Sequence, residues 1–406
     1  MARKRTVLVG GSFLVVLIAL GMTQAMLQRA AAQQGGVEAP RFEVDPFWPK
    51  PLPNHWVLGQ TIGVWVDDQD IVWIVHRSSA TLADNEKALE LKTGECCAGA
   101  PPVLAFDASG NVVRSWGGPG RGYDWPTGNH GIFIDHTGSV WIGGNGAGDS
   151  HILKFSKDGK FLAQYGKPGV HKGPANAEGL STFAGDSHDQ NNFGRVAKIF
   201  VDPRANEAYI ADGYLNKRVA VLDAATGKMK RYWGAFGNKP DDRNAGPYNP
   251  TAPSPQQFRN PVHCADLSND GLLYVCDRVN DRLQVFKPDG TFVKEQFISK
   301  NTLASGSVWD IAFSKDAQQR YIYVADGMNN RVYVVRRDTL EVLTSFGDGG
   351  RQPGEFFGVH SVATDSKNNL YTTETWEGKR IQKFVYKGVG RVRAPHQGVV
   401  WPSGTR

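Results

Sequence analysis

Short runs in which apolar and polar residues alternate, separated by turns rich in Asn, Asp and Gly, recur along the chain. A period of two predicts β-strands, and the regular turns predict many of them. The clearest unit is Tyr-Ile-Tyr-Val-Ala-Asp from Tyr321, a Gly-Met-Asn-Asn turn, then Arg-Val-Tyr-Val-Val from Arg331. Close copies begin at Ala208 and Leu273, weaker ones at Leu370, Val140 and Ile71. Each follows another apolar strand, and several precede a fourth ending in an aromatic-Gly pair such as Trp116-Gly117, Tyr165-Gly166, Trp233-Gly234 or Phe346-Gly347. Four strands per unit and six units predict an all-β chain, a six-bladed β-propeller of four-stranded antiparallel blades around a central channel. One blade cannot bury both its faces, so the blades must stack into a closed ring.

The propeller is expected over 60–388. An extended, aromatic-rich and proline-rich segment within 33–59 is expected to close the ring, and 389–406 to form a tail along the outside. Long insertions at 78–100, 168–192 and 238–258 read as loops, where propellers carry their binding groups. The consensus, Tyr-Val-Ala-Asp followed by Asn-x-Arg-Val or Asn-x-Arg-Leu, resembles the NHL repeat family. That resemblance implies the fold and leaves the function open, since such propellers serve as scaffolds, RNA binders and enzymes.

Residues 1–32 break the pattern. Basic Arg3-Lys4-Arg5, an apolar stretch over 7–22 and small residues ending at Ala30-Ala31-Ala32 predict a signal peptide, with an uncleaved anchor as the alternative. Either places the folded part in an export compartment, secreted or periplasmic. The net charge of the chain is +6. Four of its basic residues lie in that segment, and the remainder holds no basic run, so no nucleic-acid partner is expected, and no membrane partner unless the anchor is retained. A monomer is expected. Cys96, Cys97, Cys264 and Cys276 allow three pairings. Cys264 and Cys276 flank the Ser268-Asn269-Asp270-Gly271 turn and would face each other across a hairpin, which favours a structural bridge over a metal site.

Aligning the innermost strands by the turn that follows them gives the chemically informative pattern. His130, His263 and His360 each stand five residues before that turn, in units two, four and six. The same slot holds Ile62 or Gly63, Ala197 and Trp309 in the intervening units. Equivalent positions on alternate blades of a six-membered ring lie about 120° apart around the axis, so the three imidazoles converge. Three neutral imidazoles with a fourth direction open suit a catalytic zinc with an exchangeable position, at Zn–N distances of about 2.0–2.1 Å. The other histidines, His55, His136, His151, His171, His188 and His396, show no such register.

The segment Ala211-Asp212-Gly213-Tyr214 to Asn216-Lys217-Arg218 resembles the Ser-Asp-Gly-Tyr-Cys-Asn-Ser-Arg motif of the peptidyl-α-hydroxyglycine α-amidating lyase family. Further matches fall in the same order at Ile74-Val75-His76-Arg77, Asn129-His130-Gly131-Ile132, Val262-His263 with Cys276-Asp277-Arg278, and Val359-His360-Ser361. The resemblance implies a six-bladed propeller in which His130, His263 and His360 bind zinc, Tyr214 is the base, and Arg278 and Arg77 surround the substrate. A carbinolamide would be cleaved at its C–N bond to an amide and glyoxylate or a related aldehyde. An unperturbed tyrosine ionises near pH ~10, so Tyr214 needs a positive neighbour, for which Arg278 is the candidate, while Arg77 suits a substrate carboxylate. Each has a structural alternative: Tyr214 as packing on the next blade, Arg278 as partner of Asp277, Arg77 as a loop charge.

The chain also departs from that family. The structural calcium implied by the resemblance would use the backbone of Val64 and Ile132 and an aspartate directly after the last histidine, where this chain has Ser361. Leu215 replaces a disulfide cysteine and Gly358 a methionine before the last histidine. A hydroxyglycine substrate would need a hydroxylating monooxygenase, expected as a separate partner. The competing readings are a metal-dependent hydrolase or lactonase, and a non-enzymatic NHL scaffold for a protein or peptide.

Overall fold

The computed structural model of the chain describes residues 36–176 and 181–402; the signal segment at 1–32 lies outside them. Six four-stranded antiparallel sheets follow one another in the ring. Their innermost strands are Thr61–Val66, Asn129–Ile134, Val196–Asp202, Val262–Leu267, Asp310–Phe313 and Val359–Thr364. In blades one to five the remaining strands follow outward in chain order, as a meander. Inner and second strands are almost wholly buried, while outermost strands alternate, as in Phe292–Phe297.

Ring closure joins the two ends of the chain. Strand Val37–Asp45 pairs antiparallel with Ile381–Val392 and becomes the outermost strand of blade six. Phe42 then packs edge-on against Tyr323 and beside Phe346 of blade five, and Trp48 wedges between Phe106 of blade one and Tyr371 of blade six. Beyond Val392 the tail runs along the outer strand of blade five, where Ser345 N donates to Pro395 O and Gly347 N to Gly398 O, and it returns to the terminal strand through Val44 N to Val400 O. These bonds cover the exposed edges that strands Val342–Phe346 and Val37–Asp45 would otherwise present.

The repeat motif works as an internal clasp. Asp212, at the end of a second strand, accepts from Asn216 Nδ2 and Arg218 Nε, both at 2.8 Å. Asp277 does the same with Asn280 at 2.7 Å and Arg282 at 2.8 Å. Arg218 and Arg282 are fully buried, so these two copies hold a desolvated ion pair whose remaining donors are satisfied by loop carbonyls and side chains, whereas Asp326 takes Asn329 and Tyr333 and leaves Arg331 to Asn329 O. Cys264 and Cys276 stand opposite in neighbouring strands and are bridged, and Cys96 is joined to Cys97. Insertion 78–100 carries short helical turns, and 168–192 carries a small hairpin of Lys172–Ala175 and Ser181–Phe183. Among the described residues no helix is long and apolar enough to cross a membrane.

Candidate metal centre

His130, His263 and His360 are each the second residue of an innermost strand and meet on the channel axis. Their ring centroids are 5.2, 4.8 and 4.9 Å apart. A bulge at this level turns the residues away from the regular ladder: His263 and His360 are themselves the unpaired positions, as are Ile62 and Ala197 in blades one and three. Bulges re-aim side chains in this way and expose the intervening carbonyls. In blade two the bulge falls one residue later, on Gly131, at φ +67°. A Cβ there would stand 2.5 Å from Ala197 O, so only glycine fits.

The freed carbonyls orient the rings. His130 Nδ1 lies 2.7 Å from Ala197 O, and His263 Nδ1 bonds Trp309 O. His360 Nδ1 is turned toward Ile62 O, short of full hydrogen-bond geometry. Each histidine is therefore set by the blade that lacks one. Donation from Nδ1 leaves the Nε2 lone pair for a ligand, the arrangement that fixes a metal-binding tautomer. Burial, reinforced by the Arg77 and Arg278 charges, holds His130 down at about 3. Burial and the neighbouring cationic groups likewise keep His263 and His360 well below the ordinary histidine range.

Tyr214 enters this cluster from the turn after the second strand of blade three. Its hydroxyl lies 3.0 Å from His130 Nε2, 2.9 Å from His263 Nε2 and 3.2 Å from Arg278 Nη1. One phenolic proton can satisfy only one of two imidazole lone pairs. The set of Nε2 lone pairs is thus rich in acceptors, which fits a cation held by the three Nε2 atoms. Arg278 is partly buried, lies over the Trp309 ring at 4.4 Å and does not pair with Asp277, whose carboxylate is taken by Arg282. Arg77 occupies the equivalent turn of blade one and donates to Gln60 Oε1 at 2.9 Å and Asn145 Oδ1 at 2.7 Å. The structure brings Tyr214 and Arg278 onto the histidine trio, and holds Arg77 close enough for its charge to act on His130 and His360.

The residues implied for calcium do not fit a divalent ion. Val64 and Ile132 are paired in their ladders with Ile74 and Ile142, and Ser361 offers a hydroxyl in place of a carboxylate. One residue further, Val362 N donates to Asp310 Oδ2. Asp310 and Asp266 instead grip the ammonium of Lys198, at 2.6 and 2.7 Å, and Lys198 also reaches Ile311 O. Burial opposes this ammonium, but the two carboxylates outweigh it and hold its pKa above the usual lysine value. The nearby grouping of Cys264, Asp266 and Asp310 is accordingly no metal site, since Cys264 is bridged and both carboxylates are engaged. Lys198 was legible only as a lysine inside the otherwise apolar strand Val196–Asp202. Gln60 and Asn145 carried no sequence signal of their own, because each acts through a turn that the fold assembles.

No protein-family model matches the chain. It is 27% identical over 350 residues to peptidylglycine alpha-amidating monooxygenase of Rattus norvegicus, covering 83% of this chain and 32% of that protein. The chain thus spans about a third of the rat protein and 22% of the mouse one. It is 26% identical over 366 residues to NHL repeat-containing protein 3 of Mus musculus, covering 86% of this chain and 85% of that protein. Among solved structures, a streptogramin B lyase shares the fold at a TM-score of 0.51 and 14% identity, covering 85% of this chain and 98% of that one. The chain is a six-bladed β-propeller with homologues among the peptidylglycine alpha-amidating monooxygenases and the NHL repeat-containing proteins.

Proposed function

We propose that the chain is an exported zinc-dependent lyase that cleaves the C–N bond of a carbinolamide of the peptidyl-α-hydroxyglycine type. The observation that carries this reading is the placement of the Tyr214 hydroxyl within bonding reach of two axial imidazoles and the Arg278 guanidinium. His130, His263 and His360 would hold zinc, which supplies Lewis acidity toward the substrate hydroxyl. Tyr214 takes the proton of that hydroxyl. As its oxygen forms a carbonyl to the same carbon, the C–N bond breaks with its electron pair moving to nitrogen, and nitrogen accepts a proton. The products are an amide and glyoxylate. Arg278 stabilises negative charge on the Tyr214 oxygen through its 3.2 Å hydrogen bond, and its guanidinium is covered on one face by the Trp309 ring. Arg77, fixed by Gln60 and Asn145, keeps Nε unpartnered and is the group for the substrate carboxylate.

Export is supported by the N-terminal signal pattern and by two disulfides. A monooxygenase on another chain would provide the hydroxylated substrate. Elemental analysis of the purified protein tests the reading, with about one zinc per chain expected and loss of that zinc in His263→Ala, together with glyoxylate release from α-hydroxyglycine compounds. A second reading is a non-enzymatic scaffold, since the chain is also similar to NHL repeat-containing protein 3 over 85% of that protein, whose name states a repeat and no activity. It predicts no bound transition metal even after zinc is supplied.

A further inference from the structure

The guanidiniums around the centre use their donors unequally. Arg278 gives Nη1 to Tyr214 and Arg77 gives Nη1 and Nη2 to neutral side chains, and each keeps a buried Nε without a partner. Arg195 makes no side-chain hydrogen bond or ion pair among the described residues, and its Nε is buried without a partner. The fully buried arginines of the repeat clasp have a carboxylate, Asp212 for Arg218 and Asp277 for Arg282. Arg195 is nevertheless held firmly. Its N donates to Asp149 O, its O accepts from Tyr214 N, and its backbone stands at φ +62°, a strained conformation for a residue with a side chain.

Its position is set by blade two. The Arg195 guanidinium lies over the Phe183 ring at 5.9 Å, and that ring packs on Gly148, where an added Cβ would stand 3.1 Å from it. Gly148 belongs to the 145–149 turn, whose Asn145 receives Arg77 from the other side. Arg77 and Arg195 therefore flank one turn beside the histidine trio. Asp149 of that turn favours both guanidiniums through its charge but hydrogen-bonds neither, because its Oδ1 accepts from Thr127 N and Oγ1 and its Oδ2 from Gly128 N and Gly146 N. A partly desolvated guanidinium with its whole fork unspent is a receptor for a planar anion, and a carboxylate matches it bidentately.

We propose that Arg195 is a substrate-binding residue that receives a second carboxylate, so that the preferred substrate is acidic: a carbinolamide whose own carboxylate faces Arg77 and whose neighbouring side chain carries another. This rests on the lyase reading of the site. The test is calorimetric titration of the full zinc-loaded chain with two stable probes, N-acetyl-alanyl-glycine and N-acetyl-aspartyl-glycine. Wild type should bind the dicarboxylate about tenfold more tightly. That preference should vanish in Arg195→Gln and return in part in Arg195→Lys, both with wild-type thermal midpoints. An unchanged preference in Arg195→Gln, equal affinities in wild type, or no binding of either probe overturns the proposal. Glyoxylate release is read separately: its absence with the dicarboxylate preference intact removes the lyase reading alone, and its presence without that preference removes Arg195 alone.

Discussion

Tyr214 shows how much one side chain depends on its neighbours. Its hydroxyl touches His130, His263 and Arg278, from blades two and four, while its own backbone N is tied to Arg195 O. Replacing it with phenylalanine removes the proton acceptor and leaves all three imidazoles in place. Tyr214→Phe should therefore keep zinc and lose turnover by roughly 10²–10⁴-fold, the range of a general base. Metal content and glyoxylate release measured on the same preparation check this; full activity with full zinc would exclude Tyr214 as the base. Gly131 is a second sensitive position. Gly131→Ala drives a methyl toward Ala197 O, the acceptor of His130 Nδ1, and should weaken zinc affinity by at least about tenfold through displacement of that partner, as read by competition with a chelator.

Within a blade, the second strand and the turn after it carry both stability and chemistry. The Asp277–Arg282 pair is fully buried and also anchors Glu295 and Ser254. Arg282→Met leaves Asp277 buried without its cation, which should cost about 3–5 kcal/mol in denaturant unfolding. Arg243→Met, at a solvent-exposed pair with Asp241, should leave the midpoint unchanged. His76, at the end of the second strand of blade one, gives a pH signature. Burial lowers it to about 4, and its Nδ1 accepts from Gly59 N and Ser78 N while Nε2 faces Pro101 O. The native state binds its proton less readily than the unfolded chain. Its contribution is therefore complete above pH 6.5 and is lost as pH falls toward 4, to the extent of roughly 3 kcal/mol. Unfolding free energy measured from pH 7 to 4 should fall more steeply in wild type than in His76→Gln; parallel curves would show that His76 is not the group responsible.

For the molecule as a whole, closure and cations decide how the ring holds. Deleting 36–45 strips blade six of its outermost strand and removes Phe42 from the blade-five contact, so the ring should unfold at lower denaturant with a broadened transition. The two implied metals should behave differently. Zinc should raise the thermal midpoint by binding the folded trio, and the gain should disappear in His263→Ala. Calcium or its chelator should leave the midpoint where it is, because the buried Lys198 ammonium already occupies the Asp266 and Asp310 carboxylates. A midpoint that follows calcium would place a site outside these donors.

Blade number, strand order and the histidine register were legible in the sequence because each is a periodic property, carried by residues that recur at fixed offsets from a turn. The same holds for the Cys264–Cys276 bridge, which follows from two positions facing each other across one hairpin. Tyr214, Arg278 and Arg77 were legible only through motif resemblance, since nothing periodic separates them from packing or loop residues. The tertiary structure alone decided what depends on neighbours in other blades. Carbonyls from blades without histidine orient the imidazoles, Lys198 spans from blade three to Asp266 and Asp310, and the terminal strand pairs with residues more than three hundred positions away. Arg195 is the limiting case: its importance lies in a partner it lacks, and an unmet hydrogen bond exists only once every nearby acceptor has been placed.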